Sequence, residues 1–326
     1  MNSEIKTAQN NGKVKPKLTD LFRQEVSEPE KVRNIKVVLD NSEKQNYSMD
    51  EVINSIILGD ALDVLKKLPD EIFDMIFIDP PYFLQLPKKE LRRWKVKTRV
   101  EGVNDSWDKF SSFEEYDNFI IKLLTQTKRL MKTNATIWVI GTYHNIFRIG
   151  KIMQDLGYWI LNDIIWVKTN PMPNWLGVRF TNATETLIWA TKDKSCKRYT
   201  FNKEYAKKFG IGKIGANVWV LPICQGDERL KDEKGKKIHS TQKPIELLKR
   251  VILTSTKEGD LILDPMAGTG TTGYVAQALK RNFVMIEINP KYVESIVMRF
   301  QQPIILRDNL IRSEKSIKNY MKLEGF

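Results

Sequence analysis

The chain has 326 residues, of which 41% are hydrophobic and 10% aromatic, so it can bury a substantial core, and this composition excludes an intrinsically disordered protein. Its formal net charge of +13 favours a polyanionic partner, although abundant lysine can also serve solubility alone. Cys196 and Cys224 are too few for a disulfide framework, and His144 and His239 form no zinc-type cluster, so we expect a reducing compartment and no metal. No apolar run reaches the roughly 20 residues that cross a bilayer, which predicts a cytoplasmic protein without a membrane partner.

The amino-terminal segment differs in composition from the rest of the chain. Residues 1–50 are rich in Lys, Glu, Asn and Ser, with brief apolar stretches such as Val37–Leu39, which predicts a partly ordered extension. Beyond it, short apolar runs alternate with helical patterns, as in a parallel sheet flanked by helices. Seven runs have the length and the β-branched or aromatic content of strands in one sheet: Ile53–Leu58, Met75–Ile78, Thr136–Ile140, Ile160–Val167, Thr186–Trp189, Leu261–Leu263 and Phe283–Ile286.

Helical periodicity predicts helices that cover both faces of this sheet, several with a proline or a polar cap at the start. The predicted helices are Ala61–Leu68, Phe113–Met131, Asn145–Leu156, Pro244–Ser255, Thr271–Leu279 and Tyr292–Phe300. Two stretches, Pro87–Ser112 and Asn170–Ser240, do not follow the alternation. They are the natural places for insertions that read a substrate.

The first motif with chemical content is Asp79-Pro80-Pro81-Tyr82, called the tetrad below, which directly follows a predicted strand. Ligands of open α/β sheets bind beyond the carboxyl ends of the strands, so the tetrad lies where a substrate is expected. The Asp79 carboxylate and a backbone carbonyl near Pro80 can accept both hydrogens of an amino group, and the ring of Tyr82 can stack on a base. Because Asp and Pro dominate turns everywhere, an ordinary turn is the alternative.

The second motif runs from Asp264 to Thr272, called the glycine loop below, at the end of one strand and the start of a helix. Its glycines, Gly268 and Gly270, let the backbone pass close to a cofactor. The pattern is neither the dinucleotide motif nor a phosphate loop, which disfavours a nucleotide phosphate and leaves an amino-acid-bearing nucleoside. Glu287 ends the next strand, where a carboxylate can bind both ribose hydroxyls, although a surface residue would fit this position as well.

The order of the two motifs, with the tetrad before the glycine loop, resembles the permuted, β-class family of amino-methyltransferases that act on DNA adenine N6. Further matching segments are Trp107–Phe110, Ile137–Gly141, Asn145–Gly150, Trp159–Asp163, Asn170–Asn174 and Thr241–Pro244. The resemblance covers residues 54 to 300. Two departures are Met266-Ala267, where relatives usually have two aromatic residues, and Thr184, where they have a histidine.

The resemblance implies a Rossmann-like class I methyltransferase fold with circularly permuted motifs and S-adenosylmethionine as cofactor. It further implies a division of the chain into a catalytic half (51–169), a target-recognition insertion (170–240), a cofactor-binding half (241–302) and a carboxyl-terminal tail (303–326). The tetrad would hold a flipped adenine, and its catalytic residues would be Asp79, Pro80, Pro81 and Tyr82.

The resemblance also implies roles for individual cofactor-binding residues. Gly268 and Gly270 would face the methionine part of the cofactor, Glu287 would bind the ribose, and Asp60 would contact the adenine. Three residues, Thr241, Gln242 and Lys243, would close over the cofactor carboxylate. The remaining expected cofactor-binding residues are Asp79, Asp264, Met266, Thr271 and Thr272.

The richest basic stretch, Lys88–Arg99, follows the tetrad and has Trp94 near its centre. A charge run alone is usually solvated surface, but this position favours a loop at 87–112 that tracks phosphates and contacts bases of double-stranded DNA. The expected DNA-binding residues of the basic stretch are Lys88, Lys89, Arg92, Arg93, Trp94, Lys95, Lys97 and Arg99. Weaker candidates for the same role are Asn170, Asn174 and Arg179.

Rival functions remain at this point. A Pro-Pro-Tyr amine pocket also suits cytosine N4 or RNA, although Asp rather than Ser at its start favours adenine, and a catalytically silent DNA-binding subunit is a further alternative. The resemblance suggests a recognition sequence like GANTC, base flipping and a nucleoid-associated protein. It also suggests a homodimer and a cognate restriction endonuclease as candidate partners.

Overall fold

The computed structural model describes residues 35–84, 108–174, 177–210 and 215–302 with their side chains, and 91–93 and 96–100 by their backbone. The described strands of the main sheet are β1 (Lys36–Leu39), β2 (Ser55–Leu58), β3 (Phe73–Ile78), β6 (Met131–Gly141), β7 (Trp159–Lys168), β8 (Thr184–Thr191), β9 (Val218–Leu221), β10 (Leu261–Asp264) and β11 (Asn282–Glu287). A separate antiparallel pair consists of β4 (Leu91–Arg93) and β5 (Val96–Val100).

The main sheet has the strand order β1-β2-β11-β10-β3-β6-β8-β7-β9. Its neighbours are parallel except at β8, which runs antiparallel to both β6 and β7. The reversal places the amino end of β8 at the same edge as the carboxyl ends of β6 and β7. Six consecutive strands of the sheet, β1, β2, β11, β10, β3 and β6, are parallel and therefore end at one edge, where a doubly wound sheet binds its ligands.

Helices cover both faces of the sheet. The described helices are α1 (Met49–Val52), α2 (Ala61–Lys67), α3 (Phe113–Leu130), α4 (Ile146–Asp155), α5 (Lys203–Phe209), α6 (Ile245–Ser255), α7 (Thr271–Ala278) and α8 (Pro290–Phe300). Buried residues of α1 to α4 pack on one face with Ile76 and Ile78 of β3, whereas those of α5 to α8 pack on the other with Met75 and Phe77. Because β3 is covered on both faces, Met75–Ile78 form a continuous apolar run, whereas Asp74 near the start of the strand pairs with Lys132.

The structure confirms the predicted Rossmann-like fold, and each of the seven predicted strands is present. Within the described part of the chain the main sheet nevertheless has nine strands, so the predicted number of seven was wrong. The two additional strands, β1 and β9, are four residues long and lie at the two edges of the sheet. They are stabilised by pairing with β2 and β7. The apolar stretch Val37–Leu39 lies in β1, but so short a run does not by itself predict a strand.

Two further segments were expected to be irregular. Within the predicted loop at 87–112, β4 and β5 pair as a short ribbon, consistent with the alternation of Val96, Thr98 and Val100 with cationic residues. Residues 170–240 contain the helix α5 and the strand β9, which were not predicted, as well as the predicted strand β8. Among the residues that the structure describes, no helix is long and apolar enough to cross a membrane.

Candidate active site

One cavity of about 310 Å³ opens at the carboxyl edge of the sheet. Its wall contains residues that follow β2, β3, β10 and β11, because these parallel strands have their carboxyl ends at the same edge of the sheet. All four residues of the tetrad line it, together with these predicted cofactor-binding residues: Asp60, Thr241, Gln242, Lys243, Asp264, Met266, Gly268, Thr271, Thr272 and Glu287. The fold thus joins two motifs that lie far apart in the sequence.

The backbone of the tetrad is held by Asp108, which sequence reasoning did not assign to the site. The Asp108 carboxylate accepts hydrogen bonds from the backbone N–H groups of Tyr82 (2.7 Å), Phe83 (2.7 Å) and Leu84 (3.0 Å). Phe83 has a φ of 51°, a left-handed conformation that a residue with a large side chain rarely adopts. The three hydrogen bonds to one buried carboxylate stabilise this sharp turn directly after the tetrad.

A second set of contacts fixes the carbonyl group of Pro81. The hydroxyl of Tyr116 donates to this carbonyl at 2.8 Å, and the side-chain amide of Asn145 donates to it at 3.4 Å and to the Tyr116 hydroxyl at 3.2 Å. Asn145 follows β6 and Tyr116 lies on α3, so a neighbouring strand and a helix both position the tetrad. The prolines restrict the same backbone from within.

Asp79 forms an ion pair with Lys243. The ammonium of Lys243 donates to Oδ2 of Asp79 at 2.6 Å, and the side chains are 8% and 20% exposed, respectively. Burial raises the pKa of the Asp79 carboxyl, and the charge of Lys243 opposes this rise. Burial acts to lower the pKa of Lys243, but the carboxylates of Asp79 and Glu185 outweigh it and raise that pKa. Lys243 therefore remains a cation that favours the ionised form of Asp79.

Tyr82 lies between this ion pair and a second one. The Lys243 Nζ is 5.1 Å from the centre of the Tyr82 ring, and the Tyr82 hydroxyl donates to Oε2 of Glu185 at 3.0 Å. Glu185 is paired with Lys168 at 2.9 Å. Lys168 ends β7 and Glu185 lies near the start of β8, so the antiparallel reversal of β8 brings both to the carboxyl edge.

The cofactor side of the cavity contains two buried carboxyl groups. Asp264, the last residue of β10, accepts from the backbone N–H of Met266 at 3.0 Å. Glu287, the last residue of β11, accepts from the backbone N–H groups of Gly268 and Asn289, both at 2.8 Å. Burial raises the pKa of both groups, that of Asp264 to about 7. This wall is suited to hydroxyl donors at Glu287 and to a cation at Asp264.

The raised pKa of Asp264 predicts a pH-dependent stability. Its pKa is about 7 in the folded protein against an ordinary value of 3.8, so the folded state binds the proton more tightly than the unfolded state. The free energy of unfolding contributed by this group should therefore fall as the pH rises from about 4 to about 7. Urea unfolding of the ligand-free protein at several pH values should show the fall, and the variant Asp264→Asn should show less of it. An equal pH dependence in both proteins would contradict the assignment.

The two loop glycines have different surroundings. Gly268 lines the cavity with a φ of 53°, and a side-chain β-carbon there would lie 3.3 Å from Nε2 of His239, another cavity residue. Gly270 does not line the cavity, although we expected it to face the cofactor. With a φ of 67°, it begins α7, and a β-carbon would lie 2.9 Å from Cγ1 of Ile296 on α8. Packing between helices thus accounts for Gly270.

Gly270→Ala should therefore act on folding stability. The added methyl group meets Ile296 and the residue must keep a left-handed conformation, so we expect a loss of about 1–3 kcal/mol. Gly226→Ala is the matched control, because Gly226 has a φ of 62° but a β-carbon added there would have nothing within 4 Å. Urea unfolding should show a larger loss for Gly270→Ala. Equal losses would contradict a packing role.

The expected DNA-binding residues are only partly described. Lys88, Lys89, Trp94 and Lys95 lie outside the described residues, and Arg92, Arg93, Lys97 and Arg99 are placed by the backbone of β4 and β5.

The three weaker DNA-binding candidates have partners within the protein. Asn170 donates to Oε1 of Gln225 (2.6 Å) and accepts from the N–H of Ile223 (2.8 Å). Asn174 donates to the carbonyl of Arg179 at 2.5 Å. Both asparagine side chains therefore form hydrogen bonds within residues 170–240, Asn170 with the segment at 223–225 and Asn174 with Arg179. Arg179 donates to the Tyr143 hydroxyl at 3.0 Å.

Sequence reasoning missed Asp108, His239 and Glu185 as residues of the site or its immediate support. Asp108 lies within a segment that carried the family resemblance, and that was the available signal. Glu185 follows Thr184, one of the departures from the family pattern. His239 is close to the expected residue Thr241, and its Nδ1 accepts from the Thr241 N–H at 3.1 Å.

Comparison with known proteins places this site in a family. Residues 73–298 match the N6/N4 methyltransferase family model, described as DNA methylase. The chain is 49% identical over 255 residues to the type II methyltransferase M.HinfI of Haemophilus influenzae, covering 78% of this chain and 70% of that protein. It is 40% identical over 251 residues to the type II methyltransferase M2.LlaDCHI of Lactococcus lactis subsp. cremoris, covering 77% and 90%, respectively.

Solved structures agree on the fold. The complex of M1.HpyAVI with SAM has a TM-score of 0.55 at 24% identity, covering 76% of this chain and 98% of that one. The cytosine-N4-specific PvuII DNA methyltransferase has a TM-score of 0.58 at 18% identity, covering 90% and 96%, respectively. The family model and the two sequence relatives together establish that the chain belongs to the N6/N4 family of DNA methylases.

Proposed function

We propose that this protein transfers a methyl group from S-adenosylmethionine to the N6 amino group of adenine within a short DNA sequence. The observation that carries the proposal is the position of Asp79 in the wall of the cavity that also contains Asp264 and Glu287. An amine acceptor and a nucleoside-binding wall thus share one space. Transfer between two bound nucleosides needs this proximity.

The cavity wall fits S-adenosylmethionine by the chemistry of its donors and acceptors. Glu287 is fixed by two backbone N–H groups and retains acceptor capacity for ribose hydroxyls. The Asp264 carboxyl group is buried, and a positively charged ligand bound beside it would stabilise its ionised form. Gly268 lines the cavity, and because it has no side chain a ligand can approach its backbone closely. The similar fold of M1.HpyAVI was solved with this cofactor, which supports the same choice.

In the proposed mechanism, the target base leaves the DNA stack at a cost of a few kcal/mol, and stacking on Tyr82 offsets part of it. Asp79 accepts a hydrogen of the exocyclic amine and orients the nitrogen lone pair. When bound, the cofactor supplies a sulfonium methyl group, whose carbon accepts this lone pair as the carbon–sulfur bond breaks toward sulfur. The surplus proton on nitrogen leaves to Asp79 or to water. Lys243 opposes the rise that burial causes in the pKa of Asp79 and so favours its ionised form.

DNA contact is proposed for the surface beside the tetrad. Phe180 is fully exposed and Val178 is 77% exposed, on either side of Arg179. Arg179 contacts Tyr143, and Asn145, two residues further along, contacts the carbonyl of Pro81. We therefore propose that this surface lies beside the site. Exposed apolar side chains beside a cation are suited to bases and phosphates. The net charge of +13 supports the same partner.

Methyl transfer is the direct test. Purified protein would be incubated with labelled S-adenosylmethionine and unmethylated DNA, followed by nucleoside analysis and mapping of the modified positions. We expect N6-methyladenine at one short motif, and the sequence resemblance suggests GANTC. An Asp79→Ala preparation controls for contaminating enzymes. N4-methylcytosine or transfer to RNA alone would overturn the choice of substrate, and failure to bind the cofactor would instead indicate a silent subunit.

A further inference from the structure

A buried network around Tyr82 is not explained by amine binding or by cofactor binding. The Tyr82 hydroxyl donates to Glu185 at 3.0 Å, and Glu185 pairs with Lys168 at 2.9 Å. Both side chains of this pair are only 11% exposed, so the pair is largely removed from water. Neither residue is among those that line the cavity. Removing two charges from water carries a desolvation cost, which the attraction between the pair and further hydrogen bonds, such as that from Tyr82, offset.

We propose that Glu185 and Lys168 are positioning residues that hold the ring of Tyr82 in the orientation on which the target base stacks. The inference rests on the proposed function, in which Tyr82 receives the base. Lys168 neutralises Glu185, and Glu185 accepts the phenol hydrogen. This hydrogen bond fixes the position of the hydroxyl end of the side chain, and therefore the direction in which the ring extends from the backbone.

The backbone geometry supports the proposal that Glu185 and Lys168 position Tyr82, and not the reverse. Glu185 pairs with Trp166 across β7 and β8, and the Lys168 N–H donates to the carbonyl of Ala183 at 2.8 Å. The network is therefore anchored on two paired strands of the sheet, whereas Tyr82 lies on an irregular segment after β3. Rigid elements position side chains more precisely than loops do. The hydrogen bond between the Tyr82 hydroxyl and Glu185 on β8 therefore restrains the ring relative to the sheet.

The electrostatic arrangement supports the same role. Asp79 and Glu185 are two anions near Tyr82, and Lys243 and Lys168 are the two cations that pair with them. Burial and these two carboxylates hold the pKa of the Tyr82 phenol well above its usual range, so the hydroxyl remains a donor. Loss of Lys168 would leave Glu185 as an uncompensated anion, and loss of Glu185 would leave the phenol without this acceptor.

The experiment measures base flipping and methyl transfer on a mapped site. DNA with 2-aminopurine at the target position reports flipping by fluorescence at saturating cofactor, and kcat and KM are measured on the matching adenine DNA. We expect Glu185→Ala to reduce the flipped fraction and to raise KM for DNA by about tenfold, the scale of one lost hydrogen bond. Glu185→Gln keeps an acceptor and should restore part of the signal. Lys168→Met should act in the same direction as Glu185→Ala.

A double-mutant cycle separates positioning from general loss of structure. If Glu185 acts through the phenol, the double variant Tyr82→Phe/Glu185→Ala should lose no more of the flipped fraction, and gain no more in KM for DNA, than either single variant. Additive losses, or Glu185→Ala with an unchanged flipped fraction, would overturn the inference. Wild-type protein that transfers no methyl group would overturn the proposed function instead, so the two failures are distinguishable.

The chain offers a matched control at the other end of the sheet. Tyr47 donates to Asp40 at 2.7 Å, and Asp40 pairs with Lys67 at 2.8 Å, with both side chains of the pair 12% exposed. Asp40→Ala therefore removes a carboxylate with the same partners and burial, but away from Tyr82. We expect it to lower the melting temperature as Glu185→Ala does and to leave the flipped fraction unchanged. An equal loss of flipping in Asp40→Ala would contradict a specific role of Glu185.

Discussion

Asp79→Asn is expected to lower kcat by about 10²- to 10⁴-fold at saturating cofactor, the usual range for a lost acid–base group. A carboxylate only accepts hydrogen bonds, whereas the asparagine amide also presents N–H donors to the amine of the base. The amide also lacks the charge that stabilises positive charge on the attacked nitrogen. Steady-state methyl transfer to the mapped DNA site would measure the change.

The same variant should lower folding stability through Lys243. This ammonium is 8% exposed and would lose its paired carboxylate, a change that costs about 3 kcal/mol for a buried pair. Asp79→Asn with Lys243→Met removes the uncompensated charge, so we expect unfolding to return toward the wild-type value while kcat stays low. Near-normal kcat in Asp79→Asn, with cofactor binding intact, would mean that Asp79 does not bind the reacting amine.

Asp108→Ala is expected to have the second-largest effect. It leaves the backbone N–H groups of Tyr82, Phe83 and Leu84 without their acceptor, and each unsatisfied buried group costs about 1–3 kcal/mol. Phe83 would relax from its left-handed conformation and move the tetrad. Because a small displacement of reacting groups is costly, kcat should fall by about 10²-fold. Urea unfolding and methyl-transfer kinetics would measure the two effects.

The control for this prediction is Asp232→Ala. Asp232 also accepts backbone hydrogen bonds, from Lys234 at 3.0 Å and Lys236 at 2.8 Å, but in an exposed loop. Water can replace those bonds, so we expect little change in unfolding or in kcat. If Asp108→Ala lost stability but kept normal kcat and KM, the conformation of the tetrad would not depend on Asp108.

Local sequence patterns were sufficient to predict the central elements of the fold. The strand Phe73–Ile78 contains the continuous apolar run Met75–Ile78, because this part is buried on both faces, and the tetrad follows its end. The helix Phe113–Leu130 begins at Ser112, whose side chain accepts from the Glu115 N–H, a cap visible in the sequence. The edge strands β1 and β9 are only four residues long and depend on pairing with β2 and β7, so their short apolar runs did not by themselves predict strands.

The sequence by itself determined which residue types are available for amine binding and for a nucleoside cofactor, because these motifs are continuous and follow strand ends. Only the tertiary structure decided their partners. Asp108 is separated from Tyr82 by 26 positions and Glu185 by 103, and Lys243 is separated from Asp79 by 164. Such contacts depend on the order and direction of strands, and that of Glu185 depends on the reversal of β8. Strand order depends on packing across the whole chain, which no local pattern contains.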